Sequence, residues 1–294
     1  MKRMDIIDSN RSRRIIRYVS DFCYLLPALI LFGYFVILSF FQGISVAFCK
    51  WDGISPSKTF IGLRNFQTIL IDPSLRNALW VSFQFTIYGL IFSTLIGLAF
   101  ALLFHKGSYS SNISRSMIFL PYIISGVLTS YIWSYTFNDF GHALLGIRSP
   151  LTSPDSAVVG VSIMSLWHNI GFCMVIYIAG LNAVPNELYE AAVIEGANKW
   201  QQFIYVTIPM ISSSFTVTTT MLLAFGMKVF DFPYIATQGG PGRATESLAI
   251  VIYRNLFTYR KAGYGQAIAL LFTVVLFLFS FFVSKVMRSW EVEV

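Results

Sequence analysis

PNELYEAAVIEGANKWQQF, residues 185–203, joins the fourth and fifth of six long apolar segments, and it carries three glutamates against a single lysine. Asn186 after a proline indicates a helix start, with the asparagine side chain capping free N–H groups. Gly196 can end that helix in the left-handed conformation. Asn198 followed three residues later by Gln201 is a capping box that starts a new helix. The stretch therefore predicts a short helix, a tight turn and a second helix lying across one membrane face.

Outward from this stretch, the chain is dominated by segments long enough to cross a bilayer, which takes about 20 mostly apolar residues. Of the 294 residues 55% are hydrophobic and only 12% are charged, against about 25% charged in ordinary soluble domains. The sequence predicts an all-α integral membrane protein with six transmembrane helices, at about 22–42, 78–104, 117–137, 157–182, 203–227 and 266–283.

The three cysteines are too few and too scattered for a disulfide framework or a metal cluster, so we expect neither a metal nor a catalytic site. They are Cys23, Cys49 and Cys173. A net charge of +7 can indicate nucleic acid, anionic lipid or membrane topology. In so apolar a chain it favours lipid and topology, and we expect no nucleic acid partner.

Basic residues near the first span predict the orientation of the chain, because positive charge is retained in the cytoplasm. Six of them precede that span, namely Lys2, Arg3, Arg11, Arg13, Arg14 and Arg17. An even number of spans then places both termini in the cytoplasm. We divide the chain into a cytoplasmic basic segment (1–21), a single six-helix domain (22–287) and a cytoplasmic tail (288–294).

This orientation makes the loop 183–203 cytoplasmic and the loop 228–265 extracytoplasmic. An acidic cytoplasmic loop has the wrong sign for the topology rule, so another cause is needed. We interpret it as a docking site for a second protein, with Glu190 available to pair with an arginine of that partner.

The polar residues inside the spans are mostly neutral, and two explanations stay open for them. A lining of hydroxyl and amide groups suits a neutral cargo rich in hydroxyls, but the same residue types join helix to helix in membranes. The run of hydroxyls between Ser212 and Thr220 covers every face of its helix, which favours packing and bonding to the carbonyl four residues back.

The acidic loop resembles the cytoplasmic signature of the inner-membrane permeases of binding-protein-dependent ABC importers, in the sugar branch typified by maltose and glycerol-3-phosphate permeases. That signature is Glu-Ala-Ala, three residues, Gly, nine residues, Ile, one residue, Leu-Pro. Matching positions here are Glu190, Ala191, Ala192, Gly196, Val206, Ile208 and Pro209, with two conservative apolar replacements.

Two further stretches are similar to the same family. Thr237-Gln238-Gly239-Gly240-Pro241-Gly242, before the last span, looks like the extracytoplasmic loop of the sugar branch, with Gly239, Gly240 and Pro241 as its centre. A weaker match near the start of the chain consists of Leu26-Pro27-Ala28, Trp51-Asp52-Gly53 and Gly62-Leu63-Arg64-Asn65-Phe66. Together the resemblance covers essentially the whole chain.

The resemblance implies a type I ABC importer permease fold in a bacterial plasma membrane. It implies a second, non-identical permease subunit, two cytoplasmic ATPase subunits, and an external solute-binding protein that delivers a carbohydrate, in particular an oligosaccharide. The chain has no GxxxxGK[ST] phosphate loop, so ATP and Mg²⁺ are expected on the ATPase subunits and no cofactor on this chain. By position relative to the signature, the resemblance places cargo contacts at Ser165, His168, Asn169, Phe172 and Phe225.

Alternative functions follow from the same residues. An ABC permease for glycerol-3-phosphate or another small polar solute would favour arginine or lysine in the pore, and the spans offer only the neighbouring Lys228. An ion-coupled secondary transporter would need carboxylates at the membrane midplane or broken helices, and neither is evident. An intramembrane enzyme would need a motif such as HExxH, which is absent. Lys228 and Asp231 are one turn apart at the end of the fifth span; contact with cargo is one role open to them, and pairing with each other is the expected one.

Overall fold

The computed structural model describes residues 21–141, 143, 146 and 148–291. The six basic residues used to orient the chain lie outside these residues, as do the last three of the predicted tail.

The described chain is almost entirely helical, with one two-stranded antiparallel ladder in which Cys49 lies opposite Phe60. The elements are α1 (Asp21–Ala47), β1 (Cys49–Lys50), β2 (Thr59–Phe60), α2 (Arg64–Ile71), α3 (Pro73–Phe104), α4 (Tyr109–Ile123), α5 (Gly126–Phe140), α6 (Pro154–Ala183), α7 (Asn186–Ile194), α8 (199–210), α9 (Ser212–Met227), α10 (Asp231–Thr237), α11 (Leu248–Thr258) and α12 (Ala262–Arg288).

Five parts of the described chain are long and apolar enough to cross a membrane: α1, α3, α6, α9 continued by α10, and α12. The bent pair α4 and α5 brings the number to six if it is one span. Each candidate overlaps one of the predicted spans, so the all-helical, multi-span fold is confirmed.

The third predicted span, 117–137, is wrong as a single helix, because α4 and α5 meet at an angle of 100°. Ile124 and Ser125 are extended at the break, with ψ of 139° at both residues. Pro121 lies in the last turn of α4, where it cannot donate the helical hydrogen bond to the carbonyl of Met117 and so weakens the end of the helix. The chain therefore turns sharply within the apolar segment.

The fifth predicted span, 203–227, is also interrupted. The helix begins earlier, at Lys199, passes through a π-helical stretch at Phe203–Thr207, and breaks at Ile211, where φ is −95° and ψ is 15°. The long helix α9 starts only at the next residue. This break lets α8 lie at the end of the bundle while α9 enters it.

Helices α3, α6 and α9 form the centre of the bundle and pack closely because small residues face one another. A side chain at Gly97 would collide with Cys173, and one at Gly226 would collide with Thr86. A side chain at Gly171 would overlap the backbone of α4. Close packing of this kind stabilises helix–helix contacts within a membrane, where the hydrophobic effect does not drive helices together.

The predicted packing role of the hydroxyl run holds for some of its members, whereas the buried hydroxyl of Thr220 has no hydrogen-bond partner among the described residues. Thr218 donates to the carbonyl of Ser214 at 2.8 Å and lies 2.8 Å from the hydroxyl of Tyr177 on α6. Thr216 donates to the carbonyl of Ser212 at 3.3 Å. These hydroxyls are engaged in helix contacts within the bundle.

The two ends of the bundle carry different segments. At the end that we call the α7 end, α3 and α6 finish, α9 starts, and the segment 184–211, which contains α7 and α8, connects α6 to α9. At the opposite end, called the Gly-Gly-Pro end, α1 finishes, α3 and α12 start, and the segments 48–72 and 228–261 meet. The predicted docking loop and the Gly-Gly-Pro loop therefore lie at opposite ends.

Candidate functional site

Helix α7 begins where the proline fixes the backbone. Pro185 has φ of −61° and ψ of 135° and occupies the N-cap position, and no side chain caps the helix. The prediction that Asn186 caps it is wrong, because Asn186 is already the first helical residue. Glu187 lies in the first turn, where a negative charge is favourable.

The turn between α7 and α8 matches the sequence prediction. Gly196 has φ of +83°, and the N–H of Ala197 donates to the carbonyl of Ala192 at 2.9 Å, which is a Schellman ending. The Asn198 side chain accepts from the N–H of Gln201 at 2.9 Å, and the Gln201 side chain accepts from the N–H of Asn198 at 2.8 Å. The predicted capping box is confirmed.

The outer surface of α7 carries both apolar and acidic side chains. Leu188, Val193 and Ile194 are exposed, Ile194 by 86%. Glu190 is also exposed and forms no ion pair within the described part of the chain. A hydrogen bond of 3.1 Å between the hydroxyls of Tyr189 and Thr207 ties α7 to α8. The helix is held from one side and leaves its other side open.

The structure brings three of the signature residues together and spreads the others. Ala192, Gly196 and Val206 line one groove of about 340 Å³ behind the turn. Glu190 and Ala191 lie on the open side of α7. The remaining two, Ile208 and Pro209, are half-buried where α8 leads to the bundle. The signature residues therefore lie both on the open side of α7 and where α7 and α8 join the bundle.

A second groove of about 780 Å³ lies between α7 and the end of α3. Its walls include His105 and Lys106 after α3, Asn186 and Tyr189 of α7, and Lys199 of α8. The loop after α3 is fixed by Arg115, which donates to the carbonyl of His105 at 2.8 Å. Sequence reasoning did not identify this loop as part of the α7 end.

Four of the five predicted cargo residues line one cleft of about 450 Å³: Ser165, His168, Asn169 and Phe225. The fifth, Phe172, stacks on Tyr122 with ring centroids 5.2 Å apart. Tyr122 lines the cleft, as do residues 228–232. Of these, the sequence pointed only to Lys228 and Asp231 as possible cargo contacts. An aromatic wall combined with hydroxyl, amide and imidazole groups suits a sugar ring.

His168 links this cleft to the break between α4 and α5. Its Nε2 lies 3.1 Å from the carbonyl oxygen of Ile124, so that nitrogen carries the hydrogen and donates. Its Nδ1 is buried without a hydrogen-bond partner among the described residues. The ring also contacts Tyr122 and Phe232, with centroids 5.4 and 5.5 Å away. One imidazole nitrogen is thus engaged in the fold, and the other is unsatisfied.

The amide of Asn169 is partly engaged within its own helix. Its Nδ2 donates to the carbonyl of Ser165 at 2.8 Å and lies 3.2 Å from the Ser165 hydroxyl. This bonding orients both side chains at the cleft wall.

The expected pairing of Lys228 with Asp231 is wrong. Both residues line the cleft, but the ion pairs of the described residues all involve Glu246. Asp231 instead begins helix α10, where its carboxylate lies near Gly126 at the start of α5.

The Gly-Gly-Pro loop closes on itself through positive φ angles and buried hydroxyls. Gln238 and Gly239 have φ of 50° and 81° and are followed by a cis peptide between Gly240 and Pro241. The buried Thr245 lies 2.6 Å from the Thr237 hydroxyl and donates to the carbonyl of Gly240 at 2.8 Å. The loop is an ordered turn and not an open connection.

Glu246, only 1% exposed, is the anchor of this loop. Its carboxylate pairs with Arg243 at 2.6 Å and with Arg254 of α11. Arg254 also donates to the carbonyl of Gln238 at 2.6 Å, and Arg243 to the Ser74 hydroxyl at 2.9 Å. Sequence reasoning missed this cluster. The available signal was a glutamate in the extracytoplasmic loop with arginines three residues before and eight residues after it.

With this geometry in place, comparison with known proteins defines the class. A family model described as the inner membrane component of binding-protein-dependent transport systems matches residues 93–290. The chain belongs to this family, whose members are transport subunits and not enzymes.

Two relatives and one solved structure show the extent of the similarity. The chain is 31% identical over 276 residues to a probable permease for starch degradation products, AmyD, of Thermoanaerobacterium thermosulfurigenes, covering 92% of this chain and 94% of that protein. It is 29% identical to the trehalose/maltose permease MalF of Thermococcus litoralis, covering 90% and 92%. It superimposes on a crystal structure of a bacterial ABC transporter that imports alginate with a TM-score of 0.79 at 21% identity, covering 94% and 98%. The ABC importer permease fold is thereby confirmed.

Proposed function

We propose that this chain is one of the two pore-forming permease subunits of an ATP-driven importer that takes up a carbohydrate, in particular an oligosaccharide. It lies in a bacterial plasma membrane with both termini in the cytoplasm. Its partners are a second, non-identical permease, two ATPase subunits and an extracytoplasmic solute-binding protein, while ATP and Mg²⁺ bind to the ATPase subunits.

The observation that carries the proposal is the open side of α7. Glu190 lies there beside exposed Val193 and Ile194 and forms no ion pair with any described residue, whereas the helix base is fixed by a Schellman turn and a capping box. A rigidly based helix with an open apolar and acidic side can transmit a push or pull from a partner. Glu190 offers a carboxylate to an arginine of the ATPase subunit.

The cleft lined by Ser165, His168, Asn169 and Phe225 supports the carbohydrate assignment. Its aromatic rings can stack on the apolar face of a sugar, and its hydroxyl and imidazole groups can bond to sugar hydroxyls. Among the described residues that line it, the one side chain with a permanent positive charge, Lys228, is balanced by Asp231 in the same wall. This balance disfavours an organophosphate cargo, which needs an excess of positive charge.

Named relatives support the same substrate class. The similar permeases are named for starch degradation products and for trehalose and maltose. The external binding protein would meet the Gly-Gly-Pro end, around Trp51 and Gly240, because that end faces away from α7.

The test is Glu190→Arg in the assembled transporter. We expect substrate uptake to fall at least tenfold and the amount of co-purified ATPase subunit to fall, because a repelling charge replaces the acceptor. Glu291→Arg is the matched control, since it makes the same change of charge near the same end of the bundle and outside the signature. Normal uptake with full ATPase binding in Glu190→Arg would refute the docking role.

A further inference from the structure

A cleft of about 690 Å³ lies at the Gly-Gly-Pro end, with Trp51 in its wall at the edge of the surface proposed to meet the solute-binding protein. It is formed by the segment from β1 to β2, by α2, and by the residues that precede α12. Four cations line it: Lys50, Arg64, Arg260 and Lys261. Their side chains form no hydrogen bond or ion pair with any residue that the structure describes.

The two carboxylates in the same wall are already engaged. Asp52 accepts from the N–H of Ser55 at 2.8 Å and from its hydroxyl at 2.6 Å. The Ser55 hydroxyl bond is the main reason that the pKa of Asp52 is lowered to about 2. Asp72 accepts from Tyr264 at 2.8 Å and from the N–H of Ser74 at 2.9 Å. Burial raises the pKa of Asp72, but these bonds outweigh it and lower the pKa overall.

The backbone holds one of these cations in an unusual conformation. Arg260 has φ of +51°, a region that residues other than glycine rarely occupy. The neighbouring Lys261 N–H donates to the carbonyl of Asn255 at 2.9 Å, and the Gly263 N–H donates to the carbonyl of Trp51 at 3.1 Å. These bonds hold the backbone around Arg260 and Lys261 against α11 and against the residue that follows β1. Strained backbone of this kind is typical of functional positions.

The lengths of the flanking helices place the cleft at the level of lipid headgroups. Helices α1 and α12 each have 27 residues, which at 1.5 Å per residue is about 40 Å, the thickness of a bilayer including its headgroups. Lys261 directly precedes α12, and Lys50 follows α1 by three residues. Cations at this level are placed to meet phosphates.

The surface beside the cleft is apolar. Phe60 of β2 is 74% exposed, and Leu70 and Ile71 of α2 are 83% and 80% exposed. Arg64, on the same helix, lines the cleft. Helix α2 thus combines an outward apolar side with a basic edge, the pattern of helices that lie in a membrane interface.

We propose that this cleft binds the phosphate of an anionic phospholipid, with α2 lying in the headgroup region. Arg64, Arg260 and Lys261 hold the phosphate, and Leu70 and Ile71 contact the acyl chains. The bound lipid fastens α2 and the start of α12 to the membrane surface.

The experiment uses the whole transporter in phosphatidylcholine vesicles that contain a small fraction of photoactivatable phosphatidylglycerol. After illumination, labelled peptides are mapped by mass spectrometry. We expect labelling within residues 48–72 and 256–264, and at least tenfold less in R64Q/R260Q/K261Q. The control K106Q/K285Q/R288Q removes three cations at the other end of the bundle and should leave these peptides labelled. R64K/R260K/K261R keeps the charge and should also be labelled, which separates loss of binding from loss of folding.

Three outcomes would overturn the proposal. Equal labelling by a photoactivatable phosphatidylcholine would show that no anion is recognised. Loss of labelling upon addition of millimolar inorganic phosphate, both with Leu70 and Ile71 intact and with them substituted, would show that the cleft is a site for soluble anions. Labelling of the wild type no higher than background would show that this surface does not bind the lipid, and would favour a protein partner such as the solute-binding protein.

Discussion

The two ends of the bundle use their glutamates in opposite ways. Glu246, at the Gly-Gly-Pro end, is buried and paired with Arg243 and Arg254. Glu190, at the α7 end, is exposed on the open side of its helix and has no such partner among the described residues. Glu190 belongs to the Glu-Ala-Ala signature, and Glu246 follows shortly after the Gly-Gly-Pro motif.

The difference teaches how to separate a structural motif from a docking motif. Charges that are satisfied within the chain fix a shape, and removing one partner leaves an uncompensated buried charge. A charge left open on a well-anchored helix contributes little to the stability of its own chain. Loss of stability should therefore follow mutation of Glu246, and loss of partner binding should follow mutation near Glu190.

The largest expected effect is on stability at the Gly-Gly-Pro end. Glu246→Ala removes the buried acceptor of two arginines and leaves Arg243 and Arg254, which are partly exposed, near one another without their common anion. Loss of these charged hydrogen bonds should cost about 1–3 kcal/mol. We expect a large drop in the thermal unfolding midpoint of the purified transporter. Glu190→Ala is the matched control and should change stability by less than about 0.5 kcal/mol. Equal effects of the two variants would remove the contrast between the two ends.

The next effect is on assembly and not on stability. Ile194→Ser removes the most exposed apolar side chain of α7, and we expect roughly a tenfold loss of ATPase subunit in pull-downs because buried apolar anchors dominate interfaces. The unfolding midpoint should not move. Ile71→Ser, at the opposite end and similarly exposed, should retain the ATPase. Full ATPase recovery with Ile194→Ser would mean that this side of α7 is not buried in the complex.

A smaller effect is expected at the turn after α7. Gly196→Ala places a Cβ on a residue with φ of +83°, a conformation that costs about 1–2 kcal/mol for other residues. Hydrogen exchange over residues 191–200 should become about fivefold faster or more, since 1.4 kcal/mol is a factor of ten. Gly107→Ala, in the neighbouring loop with open space around it, is the control. Unchanged exchange would show that the turn is not held in this geometry.

The smallest effect separates the true cap from the wrongly predicted one. Asn198→Ala removes the capping box of α8 and should cost about 1 kcal/mol locally, whereas Asn198→Asp should be tolerated. Asn186→Ala should have almost no effect, because its side chain caps nothing. Hydrogen exchange over 199–204 measures the difference, and a larger change for Asn186→Ala would contradict the assignment of the helix start.

The sequence predicts features that depend on near neighbours. The capping box at Asn198 and the turn at Gly196 involve residues three to five apart, so their chemistry is visible in a short stretch. The start of α7 is the exception, because Pro185 takes the capping position that the pattern assigned to Asn186.

Features that depend on distant partners escape sequence reasoning. The break between α4 and α5 is bonded to His168, 44 residues further along the chain from Ile124. The Glu246 cluster includes Ser74, 169 residues before Arg243. Grouping of Ser165, His168, Asn169 and Phe225 in one cleft was expected from the family resemblance, whereas Tyr122 enters it only because the helix breaks.

Cross-linking of Glu190→Cys in the assembled transporter tests the central claim most directly. In a background without the three native cysteines, a bifunctional reagent should join this residue to an ATPase subunit, while Lys58→Cys at the opposite end should not be joined to it. Membrane-impermeant thiol reagents added to intact cells should label Lys58→Cys and spare Glu190→Cys. Labelling of Glu190→Cys from outside, or no cross-link to the ATPase in an active complex, would contradict the account.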